Sequence, residues 1–329
     1  MTTHLHPINP MTPTLEQLGL IGIIPVVVIE DEANAEPLAQ ALLDGGLSTM
    51  EVTFRTAAAK NAMTRIAKAY PMMLLGAGTV LTVDQVKTAV NCGAQYIVSP
   101  GLSRNVIEYC MQNGIAVTPG VATPTEIEAA LDLGLQVVKF FPAEANGGLE
   151  YLKAISAPFK QMKFIPTGGI DEANLLPYLK FPQVLACGGS WMVKADLISN
   201  KRFDDVKRLT EQAVAKMLGF QLSHVGINNP DANEAAQGAS LLSRLLQLPI
   251  KDGNSSMFVG TQFELLKRQY LGKHGHIAVG TNFIERAITY FAQKGIGVKE
   301  ETKVEKGGRL ATVYLDTDVG GFAVHLLQM

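Results

Sequence analysis

Beginning near residue 20, the chain alternates short β-branched apolar runs with longer stretches in which apolar residues recur at helical spacing. The runs are IGIIPVVVI, STMEVTF, MMLLGAG, QYIVSP, IAVTPG, QVVKFFP, KFIPTGG and VLACGG. Between them lie segments such as ANAEPLAQALLDGG, AAAKNAMTRIAKAY, TVDQVKTAVNCG and TPTEIEAALDLG, several of which close on the glycine of a helix C-cap. Eight strand-helix units in about 200 residues predict an α/β fold, the (β/α)8 barrel. A doubly wound open sheet is the alternative; the total of eight and the lack of GxGxxG after the first run weigh against it.

In a barrel, strand parity acquires a meaning. Helices sheathe the outside, so the apolar set of an alternating strand faces out and the polar set faces the lumen. In TMEVTFR this turns Thr49, Glu51, Thr53 and Arg55 inward and Met50, Val52 and Phe54 outward. In QVVKFF it turns Val137, Lys139 and Phe141 inward and Val138 and Phe140 outward. A lysine inside an apolar run costs several kcal/mol unless it is paired or neutralised. Taken alone, Lys139 reads as a solvent-exposed strand end. Parity points it instead into the barrel, near the C-terminal mouth where barrel enzymes place their chemistry, together with Glu51.

An amine confined to an apolar lumen beside a cation such as Arg55 is disfavoured in its charged form, and a neutral lysine attacks ketones to form a Schiff base. That imine is an electron sink for making or breaking an adjacent carbon-carbon bond, and its turnover needs a proton shuttle. Glu51 is the one carboxylate on the strand faces assigned to the lumen; its alternative role is a salt bridge that merely neutralises buried charge. Two glycine-rich turns, TGGID at 167–171 and CGGS at 187–190, follow the seventh and eighth runs. Each alone reads as a tight turn, but the loops after strands seven and eight are the usual phosphate site of this architecture, so the pair predicts a phosphorylated substrate.

The residues EVTFRT (51–56), GAGTV (76–80), SPG (99–101), KFFPAEANGG (139–148), PTGGI (166–170) and GGSW (188–191) closely resemble the 2-keto-3-deoxy-6-phosphogluconate aldolase family. The likeness runs over about residues 14–217. It implies a class I aldolase that cleaves the phosphorylated 2-oxo sugar acid to pyruvate and glyceraldehyde 3-phosphate, and also 4-hydroxy-2-oxoglutarate to pyruvate and glyoxylate. Carried over by motif, Lys139 is the Schiff-base lysine and Glu51 the general acid/base, while Arg55 and Thr79 hold the pyruvate carboxylate. Pro100, Phe141 and Thr167 line the pocket, and Gly168, Gly169, Gly189 and Ser190 hold the phosphate. The resemblance implies no cofactor for this reaction, and a homotrimer.

After EQAVAKMLG the pattern changes to two copies of a smaller unit. HVGINN at 224 recurs as HIAVGTN at 276, each followed by a helical stretch (EAAQGASLLSRLLQL, FIERAITYFAQKG), and FELLK at 263 recurs as VHLLQ at 324. Order and content resemble the paired βαβββ modules of the vicinal oxygen chelate fold, over residues 219–329. That resemblance maps inward ligands onto His224, Glu264, His276 and His325, a set suited to a divalent metal such as Zn, Ni, Mn or Fe(II). There are two departures. His325 stands where such sites commonly carry glutamate, and the 15 or so residues between the first helix and FELLK leave little room for three strands. The alternative is a fold without metal in which these side chains pair with one another. His274 is expected to be exposed.

Composition adds mainly exclusions. At 329 residues the chain suggests about two domains. With 47% hydrophobic and 18% charged residues and a net charge of -2, it carries no electrostatic footprint for nucleic acid or an anionic membrane. No apolar run reaches the roughly 18 residues needed to span a bilayer. The opening MTTHLHPINPMTPT lacks a basic segment followed by an apolar one; residues 1–13, with His4 and His6, are expected to form a flexible tail. Cys92, Cys110 and Cys187, an odd number without CxxC spacing, suit a reducing cytoplasm. Two rival readings remain at this stage: a phospho-sugar sensor, and a metal-dependent lyase or isomerase centred on the second domain.

Overall fold

The computed structural model describes residues 11–329, so His4, His6 and most of the expected tail lie outside the described residues. Thr12 and Pro13, the last two residues of that tail, instead open a helix, Pro13–Ile21. The Thr12 side chain accepts the Leu15 N–H, and proline at the first helical position has its φ preset.

Eight strands follow: β1 (Ile23–Val27), β2 (Thr49–Thr53), β3 (Leu74–Gly78), β4 (Tyr96–Ser99), β5 (Ala116–Val121), β6 (Val137–Phe140), β7 (Lys163–Pro166) and β8 (Cys187–Gly189). One strand falls in each of the eight apolar runs. They pair in parallel in the order β7-β6-β5-β4-β3-β2-β1-β8, and the seam between β7 and β8 is closed by the isolated parallel bridges Phe164–Val184 and Thr167–Gly188. The result is a (β/α)8 barrel. Strands β2, β3, β4 and β6 are buried along their whole length, as expected of parallel strands covered by helices on one side and a packed lumen on the other.

Parity sorts the side chains as the alternation predicts. Phe140 turns outward and stacks on Tyr151 of the helix Gly148–Ser156, with ring centroids 6.2 Å apart. In the lumen, Thr49 donates its hydroxyl hydrogen to the Leu74 carbonyl (2.7 Å), which leaves its oxygen to accept from the Tyr96 hydroxyl at 3.2 Å. Two glycines of β3 make room on the same face. A Cβ on Gly76 would lie 2.1 Å from the Tyr96 ring, and one on Gly78 would lie 2.1 Å from Glu51 Oε1.

The chain divides into two compact units between Met217 and Leu218. The second is an eight-stranded sheet of β9 (Gln221–Asn228), β10 (Ile250–Asp252), β11 (Ser256–Val259), β12 (Phe263–Leu266), β13 (Gly275–Thr281), β14 (Val304–Lys306), β15 (Arg309–Val319) and β16 (Phe322–Gln328). Its order is β10-β11-β12-β9-β13-β16-β15-β14. Each half runs βαβββ, with the helices Ala232–Leu246 and Ile284–Gln293 after β9 and β13. The expectation of too little room in the first half is corrected here: three strands fit because they are only 3, 4 and 4 residues long. β9 and β12 pair in parallel, as do β13 and β16, and an antiparallel ladder between β9 and β13 joins the halves. Ala235 and Ala239 of the first helix pack on Val259 and Leu265, the core of the first half.

Candidate active site and candidate metal centre

Lys139 and Glu51 meet inside the barrel. The lysine Nζ lies 3.3 Å from Glu51 Oε1, with the two side chains 8% and 4% exposed, so Lys139 is not a solvated strand end. The Phe141 ring covers the ammonium from one side, its centroid 5.2 Å from Nζ. Neither charge has bulk water to solvate it, and each is held in the lumen by the other. The Glu51 carboxylate occupies space that only a glycine at position 78 leaves open. Its charge also reaches Tyr96, whose phenol is pushed well above its ordinary range, first by burial and then by Glu51.

Arg55 takes a different place from the one parity implies. Strand β2 ends at Thr53, and alternation ends with it; Arg55 is exposed at the mouth and donates through Nε to Thr79 Oγ1 at 3.3 Å. It therefore stands with Thr79. Thr79 has a φ of 59°, the left-handed region that a β-branched residue rarely enters, and such strain concentrates at functional sites. Pro100 is exposed just past the end of β4, and Thr167 is buried just past the end of β7.

The two glycine turns are built for close approach. Gly168 and Gly169 have φ of 97° and 82°. A Cβ on Gly169 would meet the Glu144 side chain at 2.6 Å, and one on Gly189 would meet the Trp191 ring at 1.9 Å. Three residues that sequence reasoning missed hold the first turn. Asn174 Nδ2 donates to the Gly169 carbonyl (2.9 Å), the Glu144 N–H donates to the Gly168 carbonyl (3.0 Å), and the Tyr178 hydroxyl donates to Glu144 Oε1 (2.6 Å). Glu144 lies within the quoted motif KFFPAEANGG, but nothing in that motif ties it to a turn 25 residues further on. Ser190 is exposed on the second turn.

A (β/α)8 barrel that holds a buried lysine against a carboxylate, with glycine turns on its last two loops, has the arrangement of a Schiff-base-forming aldolase, a carbon-carbon lyase. The family model for KDPG and KHG aldolase matches residues 15–209, and the chain belongs to that family. It is 47% identical to the 2-dehydro-3-deoxy-phosphogluconate aldolase of Treponema pallidum over 204 residues, 62% of this chain and 97% of the relative. It is 43% identical to the KHG/KDPG aldolase of Escherichia coli over 192 residues, 58% of this chain and 90% of the relative. A solved KDPG aldolase from Legionella pneumophila, with pyruvate captured as a covalent carbinolamine intermediate, superposes with a TM-score of 0.60 at 40% identity. That superposition covers 61% of this chain and 98% of that one.

The second unit brings His224, Glu264, His276 and His325 to one wall of a cavity of about 450 Å³. The pairing register makes the arrangement two-fold: Glu264 stands opposite Gly226, two residues past His224, and His325 stands opposite Ala278, two residues past His276. Gly226 is itself required, since a Cβ there would lie 2.1 Å from the His276 ring. His224 Nε2 and His276 Nε2 are 3.1 Å apart, and Glu264 Oε2 is 3.3 Å and 3.1 Å from them. Burial opposes the charged form of Glu264, but hydrogen bonds from His224, His276 and Ser256 outweigh it and hold the carboxyl below its usual range.

His325 has a fixed tautomer. Thr312 gives its hydroxyl hydrogen to the Leu326 carbonyl (2.8 Å), so it accepts from His325 Nδ1–H at 2.9 Å. Among the described residues, the Nε2 lone pair of His325 is then buried and without a partner, as is Nδ1 of His276. Burial, followed by His276 and His224, pushes the His325 pKa down to about 3, which keeps it a neutral donor. His274 is exposed.

Proposed function

We propose that Lys139 is the imine-forming residue and Glu51 the proton shuttle in cleavage of 2-dehydro-3-deoxy-6-phosphogluconate to pyruvate and glyceraldehyde 3-phosphate. The buried Lys139–Glu51 pair carries this reading. Glu51 takes the ammonium proton of Lys139, the neutral amine adds to the C2 ketone, and Glu51 returns that proton to the carbinolamine oxygen, which leaves as water and gives an iminium. Glu51 takes the proton of the C4 hydroxyl, the C3–C4 bond breaks, and its electrons enter the iminium to form an enamine while the aldehyde leaves. The proton returns to C3, and hydrolysis frees pyruvate and the lysine. Arg55 and Thr79 hold the carboxylate; Pro100, Phe141 and Thr167 bound the pocket; Gly168, Gly169, Gly189 and Ser190 hold the phosphate. The same steps convert 4-hydroxy-2-oxoglutarate, which lacks the phosphate, to pyruvate and glyoxylate. A sensor would have no use for the Lys139–Glu51 pair. Steady-state release of pyruvate from the two substrates and from the galactonate-derived epimer tests the assignment. The phosphogluconate derivative is expected to show the highest kcat/KM, and turnover of none of the three would overturn it.

The same reading includes a homotrimer in the cytoplasm. Its support is the family likeness, three free cysteines, and the finding that no helix among the described residues is long and apolar enough to cross a membrane. Sedimentation at the mass of three 35.3 kDa chains checks the assembly.

A second reading concerns residues 219–329, as a vicinal oxygen chelate-like domain whose His224, Glu264, His276 and His325 bind a divalent metal. Bonds of about 2.0 Å from a tetrahedral ion give ligand-ligand edges of about 3.3 Å. The 3.1, 3.1 and 3.3 Å triangle of His224, His276 and Glu264 has that size, and three imidazole ligand atoms lie within 4.8 Å of one another. Paired with one another instead, the four side chains leave the His325 Nε2 unanswered. Such an ion would act as a Lewis acid toward a bound oxygen. Metal analysis of the full chain beside His276→Ala tests it: about one ion per chain, lost in the variant, against none in either.

A further inference from the structure

We infer that the cavity of the second unit receives a small metabolite with two separated anionic ends, one at the His224–Glu264–His276–His325 centre and the other at Arg268 and Lys306. The inference rests on the metal reading above and adds the class of ligand.

Charge gives the first argument. Glu264 is the one carboxylate lining the cavity among the described residues, and an imidazole ligates a metal in its neutral form, so a divalent ion there keeps one unit of positive charge. A second glutamate in place of His325 would have cancelled it. Arg268 and Lys306 line the same cavity, and neither has an ion-pair partner among the described residues. An ion and two cations on the walls of one concavity therefore face a single acid, and that imbalance is met by a ligand carrying at least two negative charges.

Size and lining give the second. About 450 Å³ far exceeds what an ion and its waters occupy and lies in the range of small-molecule sites. The walls include Phe258, Leu266 and Leu327, which suit a short carbon skeleton, and Tyr270, which offers a hydroxyl. Arg268 follows β12 and Lys306 ends β14, strands on opposite flanks of the β9–β13 centre of the sheet, so the cationic groups come from both halves. A guanidinium and an ammonium recognise carboxylate and phosphate alike, and either could form the distal end. The substrate proposed for the barrel belongs to this class, a short acid with a carboxylate at one end and a phosphate at the other. Both units of the chain would then handle metabolites of one kind.

The test uses the full chain carrying Lys139→Met, which removes imine formation in the barrel, loaded with Co(II), whose visible absorption reports only on ligands reaching the ion. Pyruvate, 2-oxoglutarate and 3-phosphoglycerate are titrated against that spectrum; they present one anionic end, a distal carboxylate and a distal phosphate. One or both of the two-ended acids is expected to bind about tenfold or more tightly than pyruvate, the effect of one charge-assisted hydrogen bond. The double variant Arg268→Met/Lys306→Met should erase that advantage while leaving the ligand-free spectrum and the pyruvate affinity unchanged. Equal affinities for all three acids, or an advantage that survives the double variant, overturns the ligand class and leaves the metal reading standing. A chain that takes up no Co(II) overturns the metal reading, and this inference with it.

Discussion

Lys139 Nζ and Glu51 Oε1 lie 3.3 Å apart although 88 residues separate them in the chain, because β2 and β6 turn these two side chains into the lumen of the same barrel. Removing one partner of such a pair strands the other charge, so a variant that keeps an acceptor in place separates chemistry from folding. Glu51→Gln does this. Turnover is expected to fall by a factor on the order of 10² to 10⁴, the range for a general acid/base, while the variant still binds pyruvate. Unchanged turnover would reduce Glu51 to a charge partner.

Gly78 has a role that follows from space alone. Alanine there would bring a methyl group 2.1 Å from Glu51 Oε1 and must displace the carboxylate. We expect Gly78→Ala to lower kcat by about tenfold or more with the far-ultraviolet circular dichroism unchanged. Combined with Glu51→Gln it should add little, since both changes act through one group. Losses that multiply in the double variant would show that Gly78 serves something else.

Ser190 separates a phosphate site from a tight turn. Ser190→Ala should cost about 1 to 3 kcal/mol in kcat/KM for the phosphorylated substrate, the range of a hydrogen bond to a charged group. For 4-hydroxy-2-oxoglutarate the change should be nearly silent. Equal losses on the two substrates would assign Ser190 to the barrel rather than to the ligand.

Removal of metal should leave the barrel reaction untouched, because an iminium and not a metal ion accepts the electrons of the broken bond. After dialysis against a chelator, and with metal content measured on the same sample, aldol cleavage should stay within about twofold of its starting rate, a change small beside the effects of general acid/base loss. Activity that falls in proportion to metal would contradict the separation of the two chemistries.

The eight barrel strands were legible because strands buried on both faces must be apolar runs, and the inward pair was legible because alternation has period two. Alternation could not follow Arg55 past Thr53, where the strand ends and the side chain turns to Thr79. The uses of Gly76 and Gly78 were hidden for another reason: a glycine in a strand marks a close approach but does not say that Tyr96 or Glu51 will fill it. Likewise, Glu144, Asn174 and Tyr178 come together only once the helices after β6 and β7 are packed. In the second unit the repeat, with the fold it resembles, picked out the four side chains that meet there, His224, Glu264, His276 and His325. The three short strands of residues 250–266 escaped because 3 or 4 residues are too few for a periodic signal.

The most direct measurement is reductive trapping. Incubation of the full chain with pyruvate and borohydride, followed by peptide mapping, should find one three-carbon adduct on Lys139 and activity lost in step with its formation, because only an imine is reduced to a stable secondary amine. An adduct on another lysine, or none at all, would contradict the account.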